Sequence, residues 1–391
     1  MRFHVFSAQN SISVPEHSNN AYVTTALNLC KVLTDNNHEV YHYGAEGSKV
    51  DCAEHIDCVM QSELDKSYGD NHKTQATILD ANMGDYAFKM FHPRAVHECG
   101  ERIQPGDFLC ALWNGHRDIV NELADIEPGA ITVEPGVGYT GCFSRYRVFP
   151  SKAFRDFNYG VFHGRNETEF PDEDEQYNAD NWTTVSNPYT FVKEGDAVIP
   201  HALDLQHFTL NEDKEDYLCF FGRAIYNKGV EMAVRVAEEL GRTLILCGGG
   251  DFKEAAGGHL PRCAEVRGRV TIEERDEIMG KAFAGLGYTR YIEPFGYVAA
   301  EFNATGTAFY TYPWGGLSEI VVDGETGFHT STFKDTLEKV ERAAEISPKA
   351  CRENIENRFT LDAIAPQFED YFQYLKSYVD ACNAGVGFYH T

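Results

Sequence analysis

Long apolar runs are missing from this chain of 391 residues. The longest are strand-sized, such as Phe108 to Trp113, whereas a membrane-spanning helix requires roughly 20 consecutive apolar residues. The opening segment, Met1 to Phe6, is too short and too polar for a signal peptide and predicts a first β-strand. We therefore expect a chain without a transmembrane segment.

Closely spaced cysteine pairs are also missing. The 11 cysteines are odd in number and include no Cys-x-x-Cys pair, which argues against a disulfide framework and against a zinc site. This cysteine usage predicts a reducing, cytoplasmic location.

Basic residues are scarce, with 34 Lys and Arg against 60 Asp and Glu and a formal net charge of −26. A nucleic-acid partner requires a basic face, so we expect none. One basic and aromatic segment, Arg145 to Arg155, interrupts the acidic first half. It leaves peripheral membrane contact as a weakly supported alternative to an ordinary helix face followed by a turn.

Short strand-like runs alternate with longer helical stretches throughout the chain. In the first half, Asn19 to Asn36 has apolar residues at helical spacing and lies between predicted strands at 3–7 and 38–43. Strand, helix and strand in this order form a βαβ unit, which implies a parallel sheet. Further strands are predicted at 56–60, 108–113, 130–134, 160–163 and 183–186.

The second half repeats this rhythm. Strands are predicted at 217–221, 243–247, 283–288 and 308–312, and helices at 230–240, 273–279, 298–304, 337–345 and 366–382. The pattern predicts an α/β fold of two Rossmann-like, doubly wound domains facing a central cleft, where ligands bind at the carboxyl ends of the strands. We place the domains at 1–192 and 193–369, with a C-terminal helix at about 370–391 packing back onto the first. A single large doubly wound sheet is the alternative.

A glycine and two cations follow the strand at 217–221. Gly222 and Arg223 stand at the strand exit, and Lys228 precedes Gly229 and a helix. Glycine allows a ligand to approach the backbone, and a helix start supplies free N–H groups with partial positive charge. Together these groups suit a diphosphate. A tight turn with two solvated cations is equally compatible with the spacing.

Two glutamates flank the start of a later helix. Glu293 precedes the helix, Glu301 lies about one turn inside it, and Pro-Phe-Gly-Tyr follows Glu293. Carboxylates in such positions accept hydrogen bonds from vicinal sugar hydroxyls, while the free N–H groups between them suit an anion. From spacing alone, a helix N-terminal charge and a solvated glutamate remain the alternative.

This Glu-x7-Glu pattern resembles the signature of retaining GT-B glycosyltransferases, especially glycosyltransferase family 4. Further segments resemble the family in the same order along the chain: Val198 to Phe208, Phe221 to Gly229, and Gly315 to Gly327. The resemblance implies a GT-B fold and a nucleotide-diphosphate sugar as donor substrate. By the same resemblance, Arg223 and Lys228 would neutralise the departing diphosphate and Glu293 would hold the donor sugar.

The remaining donor-binding residues are also implied by the resemblance. Glu301 would bind the ribose hydroxyls, and the nucleobase would lie near Arg269. The other implied positions are the strand exit and the amides at the helix start: Gly222, Phe295, Gly296 and Tyr297.

Enzymes of this fold need no catalytic metal, and we expect neither a metal nor another cofactor. The segment Asp172 to Asp174 matches the Asp-x-Asp motif of the other, metal-dependent glycosyltransferase fold. Its acidic neighbours favour a solvated loop.

The first half departs from the family pattern. The loop from Ser7 to Asn20 contains no glycine, and no histidine follows the fifth strand. His116 lies at another strand end, where a lone histidine is more often structural. Our candidates for the acceptor side are Asn19, His116, Glu134, Gly136 and Tyr139.

The predicted activity is metal-independent transfer of a sugar, with retained anomeric configuration, from a nucleotide-diphosphate sugar to a hydroxyl acceptor. That acceptor is a glycan, a lipid or a small molecule. A sugar-nucleotide epimerase or hydrolase of the same fold and a non-catalytic nucleotide-sugar binder are the alternatives.

Overall fold

Two parallel β-sheets organise the chain, one in each of two units. The computed structural model describes residues 1–17, 20–74, 82–168 and 195–384. Unit 1 comprises Met1–Pro150, Arg155–Ile199 and Ala365–Thr391, and unit 2 comprises Ser151–Phe154 and Pro200–Ile364. The division after Ile199 falls later than the boundary expected from the sequence, because the short strand at Ala197–Val198 still pairs within the first sheet.

Unit 1 contains a parallel sheet in the order β3-β2-β1-β4-β5-β6-β7. Its strands are β1 (Arg2–Phe6), β2 (Glu39–Ala45), β3 (Glu54–Val59), β4 (Phe108–Ala111), β5 (Ile131–Pro135), β6 (Tyr146–Phe149) and β7 (Ala197–Val198). The helices up to β7 are α1 (Ala21–Asp35), α2 (Gln61–Tyr68), α3 (Asn71–Thr74), α4 (Tyr86–Gly100), α5 (Arg117–Ile126) and α6 (Lys152–Thr168).

The βαβ unit predicted at the N-terminus is present. Asn20 caps α1 by accepting a hydrogen bond from the Tyr22 amide at 3.0 Å. The apolar face of α1 is buried, and β1 and β2 pair in parallel as this connection requires. In the core, the Phe3 ring stacks on Phe108 with centroids 4.8 Å apart.

One expectation for the middle of unit 1 is wrong: residues 160–163, predicted as a strand, lie inside α6. The segment Arg145 to Arg155 contains β6, and its Arg147 side chain is fully buried and bonds to Asp196 through Nη2 and Oδ2 at 2.5 Å. Arg145 and Lys152 of the same segment are exposed. The strand predicted at 183–186 lies outside the described residues.

Unit 2 contains a parallel sheet in the order β10-β9-β8-β11-β12-β13. Its strands are β8 (Tyr217–Phe221), β9 (Thr243–Cys247), β10 (Ala264–Gly268), β11 (Ala284–Gly287), β12 (Phe309–Thr311) and β13 (Gly327–His329). The helices from here to the C-terminus are α7 (Val230–Leu240), α8 (Phe252–Ala255), α9 (Ile272–Lys281), α10 (Tyr297–Ala304), α11 (Leu317–Ile320), α12 (Phe333–Val340), α13 (Pro348–Arg358) and α14 (Leu361–Asn383).

The bounds of β8, α7 and β9 are those expected from the sequence. Towards the C-terminus the elements differ: α12 ends at Val340, α13 was not anticipated, and Pro366 lies inside α14 and not at its start. Since all strands of unit 2 are parallel, the turns after β8, β9, β11 and β12 meet at one edge of the sheet. Among the described residues, no helix is long and apolar enough to cross a membrane.

Candidate active site

The turns after β8 and β9 pack backbone against backbone. A Cβ atom on Gly248 would lie 1.8 Å from the carbonyl oxygen of Gly222. The Ala224 amide donates to the carbonyl of Gly249 at 2.8 Å. These contacts exclude a side chain at Gly248 and fix the strand exit that carries Arg223.

Two cations follow β8, in different surroundings. The Arg223 side chain is exposed and forms no ion pair with any described residue. Lys228 is largely buried, and its Nζ lies 2.6 Å from Oε2 of Glu293. Burial alone would lower the pKa of the Lys228 ammonium, but Glu293 and Tyr291 together outweigh burial and raise that pKa. Lys228 is therefore a fixed cation in this turn.

Glu293 is held by its neighbours on both sides. The Thr289 hydroxyl donates to Oε2 of Glu293 at 3.4 Å, and the backbone carbonyl of Glu293 accepts from the Gly316 amide at 2.7 Å. Gly315 has φ +69°, and a Cβ there would lie 2.9 Å from the Glu293 nitrogen. Gly315 thus has a packing role, which is to let this loop approach Glu293.

Helix α10 begins directly after Gly296, whose φ of +102° suits glycine. A Cβ on Gly296 would lie 2.4 Å from Cδ2 of Leu317. The amides of Phe295 and Gly296 donate no hydrogen bond within the described residues, as expected at a helix start. The His201 ring stacks on Tyr297 with centroids 5.5 Å apart, so it packs against the first residue of this helix. Burial lowers the pKa of His201 to about 4, which keeps the ring neutral.

Glu301 projects from α10 into a buried position. Its Oε1 lies 3.0 Å from Nη1 of Arg275 on α9, and its Oε2 is buried with no hydrogen-bond partner among the described residues. Burial raises the pKa of Glu301, while the Arg275 guanidinium opposes that rise. A buried carboxylate oxygen without a partner is costly, so this atom is suited to accept a ligand hydroxyl.

Arg269 follows β10 at the far side of the same sheet edge. A Cβ atom on Gly249 would lie 3.1 Å from two nitrogens of the Arg269 guanidinium. The guanidinium fits at this position because Gly249 has no side chain. The structure thus brings the donor-side candidates of unit 2 to one edge of one sheet.

Glu134 and Tyr139, two of the acceptor-side candidates, bond to one another in unit 1. Glu134 ends β5 and is fully buried. Its Oε2 accepts from the amides of Phe143 and Ser144 at 2.9 and 2.7 Å, and its Oε1 accepts from the Tyr139 hydroxyl at 3.0 Å. Burial raises the pKa of Glu134 to about 7 against these hydrogen bonds. Its carboxylate therefore organises the loop that follows β5.

The other unit 1 candidates have different surroundings. Gly136 has φ +109° and bonds through its amide to the Val148 carbonyl at 3.0 Å, so it shapes the same loop. His116 is fully buried and stacks on Phe91 with centroids 5.6 Å apart, which places it in the core. Burial lowers its pKa to about 3. Asn19 lies outside the described residues.

Metal ligands do not cluster in the part of the chain that the structure describes: no group of His, Cys, Asp and Glu there is arranged to hold an ion. The acidic segment Asp172 to Asp174 lies outside that part.

Residues 204–358, which carry Arg223, Lys228, Glu293 and Glu301, match the family of glycosyl transferases group 1. Unit 2 contains a group 1 glycosyltransferase domain. The two Rossmann-like units are the architecture of GT-B glycosyltransferases, as the likeness to solved structures also indicates.

Curated relatives match this chain over a short stretch. The chain is 33% identical over 120 residues to glycogen synthase from two strains of Mycobacterium tuberculosis. That stretch is 28% of this chain and 29% of each relative, so most of either protein lies outside the match.

Solved structures match over nearly the whole chain. AviGT4, a glycosyltransferase involved in avilamycin A biosynthesis, aligns with TM-score 0.60 and 18% identity over 96% of this chain and 98% of its own. HepE from Anabaena, in complex with UDP and glucose, aligns with TM-score 0.62 and 13% identity over 95% and 99%. Sucrose-phosphate synthase from Thermosynechococcus elongatus aligns with TM-score 0.63 and 15% identity over 97% and 100%. At these identities the likeness shows the fold.

Sequence reasoning missed two residues of the site. Arg275 was placed in a helix but not assigned to Glu301, because the spacing within α9 does not reveal which face meets α10. His201 stands in the segment Val198 to Phe208, whose resemblance to the family was the available signal. In the structure its ring contacts Tyr297.

Proposed function

We propose that this chain transfers a sugar from a nucleotide-diphosphate donor to a hydroxyl acceptor, with retention of anomeric configuration and without a catalytic metal. The observation that carries the proposal is the placement of the two glutamates around the start of α10. Glu301 offers a buried oxygen without a partner among the described residues, and Glu293 is paired with a largely buried lysine. The glycosyltransferase group 1 match over this region supports the same reading.

Each group has a distinct role in the proposed reaction. Glu301 accepts hydrogen bonds from the ribose hydroxyls, with Arg275 holding its other oxygen. Glu293 and the amides at the start of α10 hold the donor sugar. Arg223 and Lys228 face the diphosphate, and Arg269 lies toward the nucleobase.

The charges act on the leaving group. As the bond between the anomeric carbon and the diphosphate oxygen breaks, negative charge grows on that oxygen. Arg223, Lys228 and the helix start stabilise this charge more in the transition state than in the ground state. The acceptor oxygen then bonds to the anomeric carbon from the same face, and its proton passes to the departing phosphate oxygen.

Turnover with UDP-glucose and a panel of hydroxyl acceptors tests the proposal. The donor is chosen because structures of HepE contain UDP and UDP-glucose. We expect Arg223→Ala and Lys228→Ala each to lower turnover by about 100-fold or more, the effect of losing one oxyanion donor. Arg262→Ala, which changes an exposed arginine of the same unit, is the matched control and retains turnover.

Nucleotide binding is measured separately, by the thermal stabilisation that UDP confers. Glu301→Gln removes the charged acceptor, so we expect UDP binding about ten-fold weaker or worse, whereas the exposed Glu325→Gln binds normally. Near-normal turnover in both cation variants contradicts the mechanism. Sugar release without acceptor indicates a hydrolase, and UDP binding without turnover on any acceptor indicates a non-catalytic binder.

A further inference from the structure

Exposed aromatic side chains flank the segment that carries Glu293. Trp314, after β12, is 41% exposed, and Tyr226, after β8, is 65% exposed. Both belong to unit 2 and both touch the short segment between β11 and Glu293. We call Tyr226, Tyr312 and Trp314 the aromatic ledge.

Trp314 is held rigidly although it is exposed. Its indole N–H donates to the Thr289 carbonyl at 3.1 Å, and its ring stacks on Tyr312 with centroids 4.4 Å apart and planes at 28°. The Thr289 hydroxyl bonds in turn to the Glu293 carboxylate. One residue thus connects the indole to the proposed donor-sugar group.

Tyr226 is tied to the same segment from the other side. The Arg290 guanidinium lies 3.9 Å from the centre of the Tyr226 ring, and its Nη2 bonds to Glu231 at 2.8 Å. The Arg290 amide donates to the Asn227 carbonyl at 2.8 Å. The aromatic rings of the ledge therefore lie beside the charged side chains of Arg290 and Glu231.

This mixture suits a carbohydrate. A pyranose ring has an apolar C–H face that packs on an aromatic face and hydroxyls at its rim that bond to charged neighbours. Rigid aromatic side chains supply contact area at little cost in conformational entropy. The charges interrupt the apolar surface, which disfavours a lipid chain and a large protein interface.

The order of strands gives the ledge its direction. Arg269 follows β10 and the cations follow β8, whereas the ledge residues Tyr312 and Trp314 follow β12, on the other side of β8. Tyr226, the third ledge residue, follows β8 beside the cations, so the ledge extends from the proposed diphosphate groups past Glu293 to the turn after β12. A ligand on the ledge therefore lies beside the donor sugar and away from the base.

We propose that the aromatic ledge is a saccharide subsite and that the acceptor of this enzyme is a carbohydrate. This inference rests on the proposed function, because the direction of the ledge is defined by the proposed donor site. Trp314 and Tyr226 stack on a pyranose ring of the acceptor and thereby decide which class of hydroxyl compound is used.

The test compares saccharide acceptors (methyl glucoside, maltotriose, cellotriose and lactose) with glycerol and octanol, using the full chain and UDP-glucose. We expect transfer to a saccharide, a KM for that acceptor at least ten-fold higher in Trp314→Ala and in Tyr226→Ala, and an unchanged thermal shift with UDP. Trp314→Phe keeps a flat ring and stays within about three-fold of the original KM. Tyr374→Ala removes an exposed tyrosine of unit 1 and serves as control.

Transfer only to glycerol or octanol, or an unchanged saccharide KM in Trp314→Ala, overturns the inference. If the unaltered chain shows neither turnover nor stabilisation by UDP, the proposed function has failed. The ledge is then judged by tryptophan fluorescence with the same oligosaccharides. A saturable change that disappears in Trp314→Phe supports the subsite, and its absence overturns it.

Discussion

Glu134 shows how a single buried residue links loop structure to pH. Its carboxyl group is fully buried, and every hydrogen bond it receives comes from the loop between β5 and β6. Burial favours the neutral form, so its pKa is raised from 4.5 to about 7. The folded chain therefore binds the Glu134 proton more tightly than the unfolded chain does.

The stabilisation that follows is greatest below the unfolded pKa near 4.5 and is lost as the pH rises through about 7. At roughly 1.4 kcal/mol per pKa unit, the loss amounts to a few kcal/mol. Glu134→Gln cannot ionise, and its amide still accepts from the loop amides and bonds to Tyr139. We expect the fall in melting temperature between pH 5 and pH 8 to be smaller in Glu134→Gln than in the unaltered chain.

Glu101→Gln, which changes an exposed glutamate of the same unit, is the control for this measurement and keeps the original pH dependence. An identical pH profile in Glu134→Gln would show that the buried carboxyl group does not titrate in this range.

At the scale of elements, the start of α7 depends on one glycine. Gly229 has φ +75°, and a Cβ there would lie 2.0 Å from the Tyr288 carbonyl oxygen after β11. The helix start that places Lys228 therefore requires both a left-handed residue and the absence of a side chain.

Gly229→Ala is expected to cost more stability than Gly241→Ala at the other end of the same helix. Gly241 has φ +65°, but a methyl group added there would meet nothing within 4 Å, so its substitution costs only the left-handed conformation, about 1–2 kcal/mol. Gly229→Ala adds a clash with backbone that relaxes only by moving the helix start. Urea unfolding measures both free energies, and equal losses would contradict the packing argument.

The same elements show which local structure the sequence predicts. Gly241 closes α7 in a left-handed cap, and β8 and β9 have the expected bounds because each is a short apolar run between turn residues. Residues 160–163 mislead because a short apolar run fits a strand as well as a buried helix face. Helix α4, which contains Pro93, was not predicted.

For the whole molecule, topology explains why the positions of the candidate donor-site residues were easier to predict than the side chains that contact them. Strand alternation predicts parallel sheets, and parallel sheets place Arg223 and Glu293 at one edge whatever the details of packing. The partner of Glu301 and the burial of His116 depend on how helices and aromatic rings pack. Such contacts join residues far apart in sequence, so the spacing of residues along the chain does not predict them.

The distribution of charge is another property of the whole molecule, and it governs the electrostatic attraction of the chain to a membrane surface. The chain carries a net charge of −26. The segment Arg145 to Arg155 was the candidate basic face, but Arg147 is buried against Asp196 and Arg155 pairs with Asp156 at 2.8 Å, which leaves Arg145 and Lys152 as its exposed cations. Attraction to an anionic surface requires clustered, unpaired cations within a Debye length of that surface.

We therefore expect the full chain to stay in solution when it is sedimented with phosphatidylserine-containing vesicles at physiological salt. Neutral vesicles provide the baseline, and lowering the salt should not increase binding, because weaker screening strengthens the repulsion between the acidic chain and the anionic surface. Co-sedimentation that rises as salt falls would reveal a cationic face outside the paired arginines. It would also return lipid-linked hydroxyl compounds to consideration as acceptors, in competition with the carbohydrate that the aromatic ledge favours.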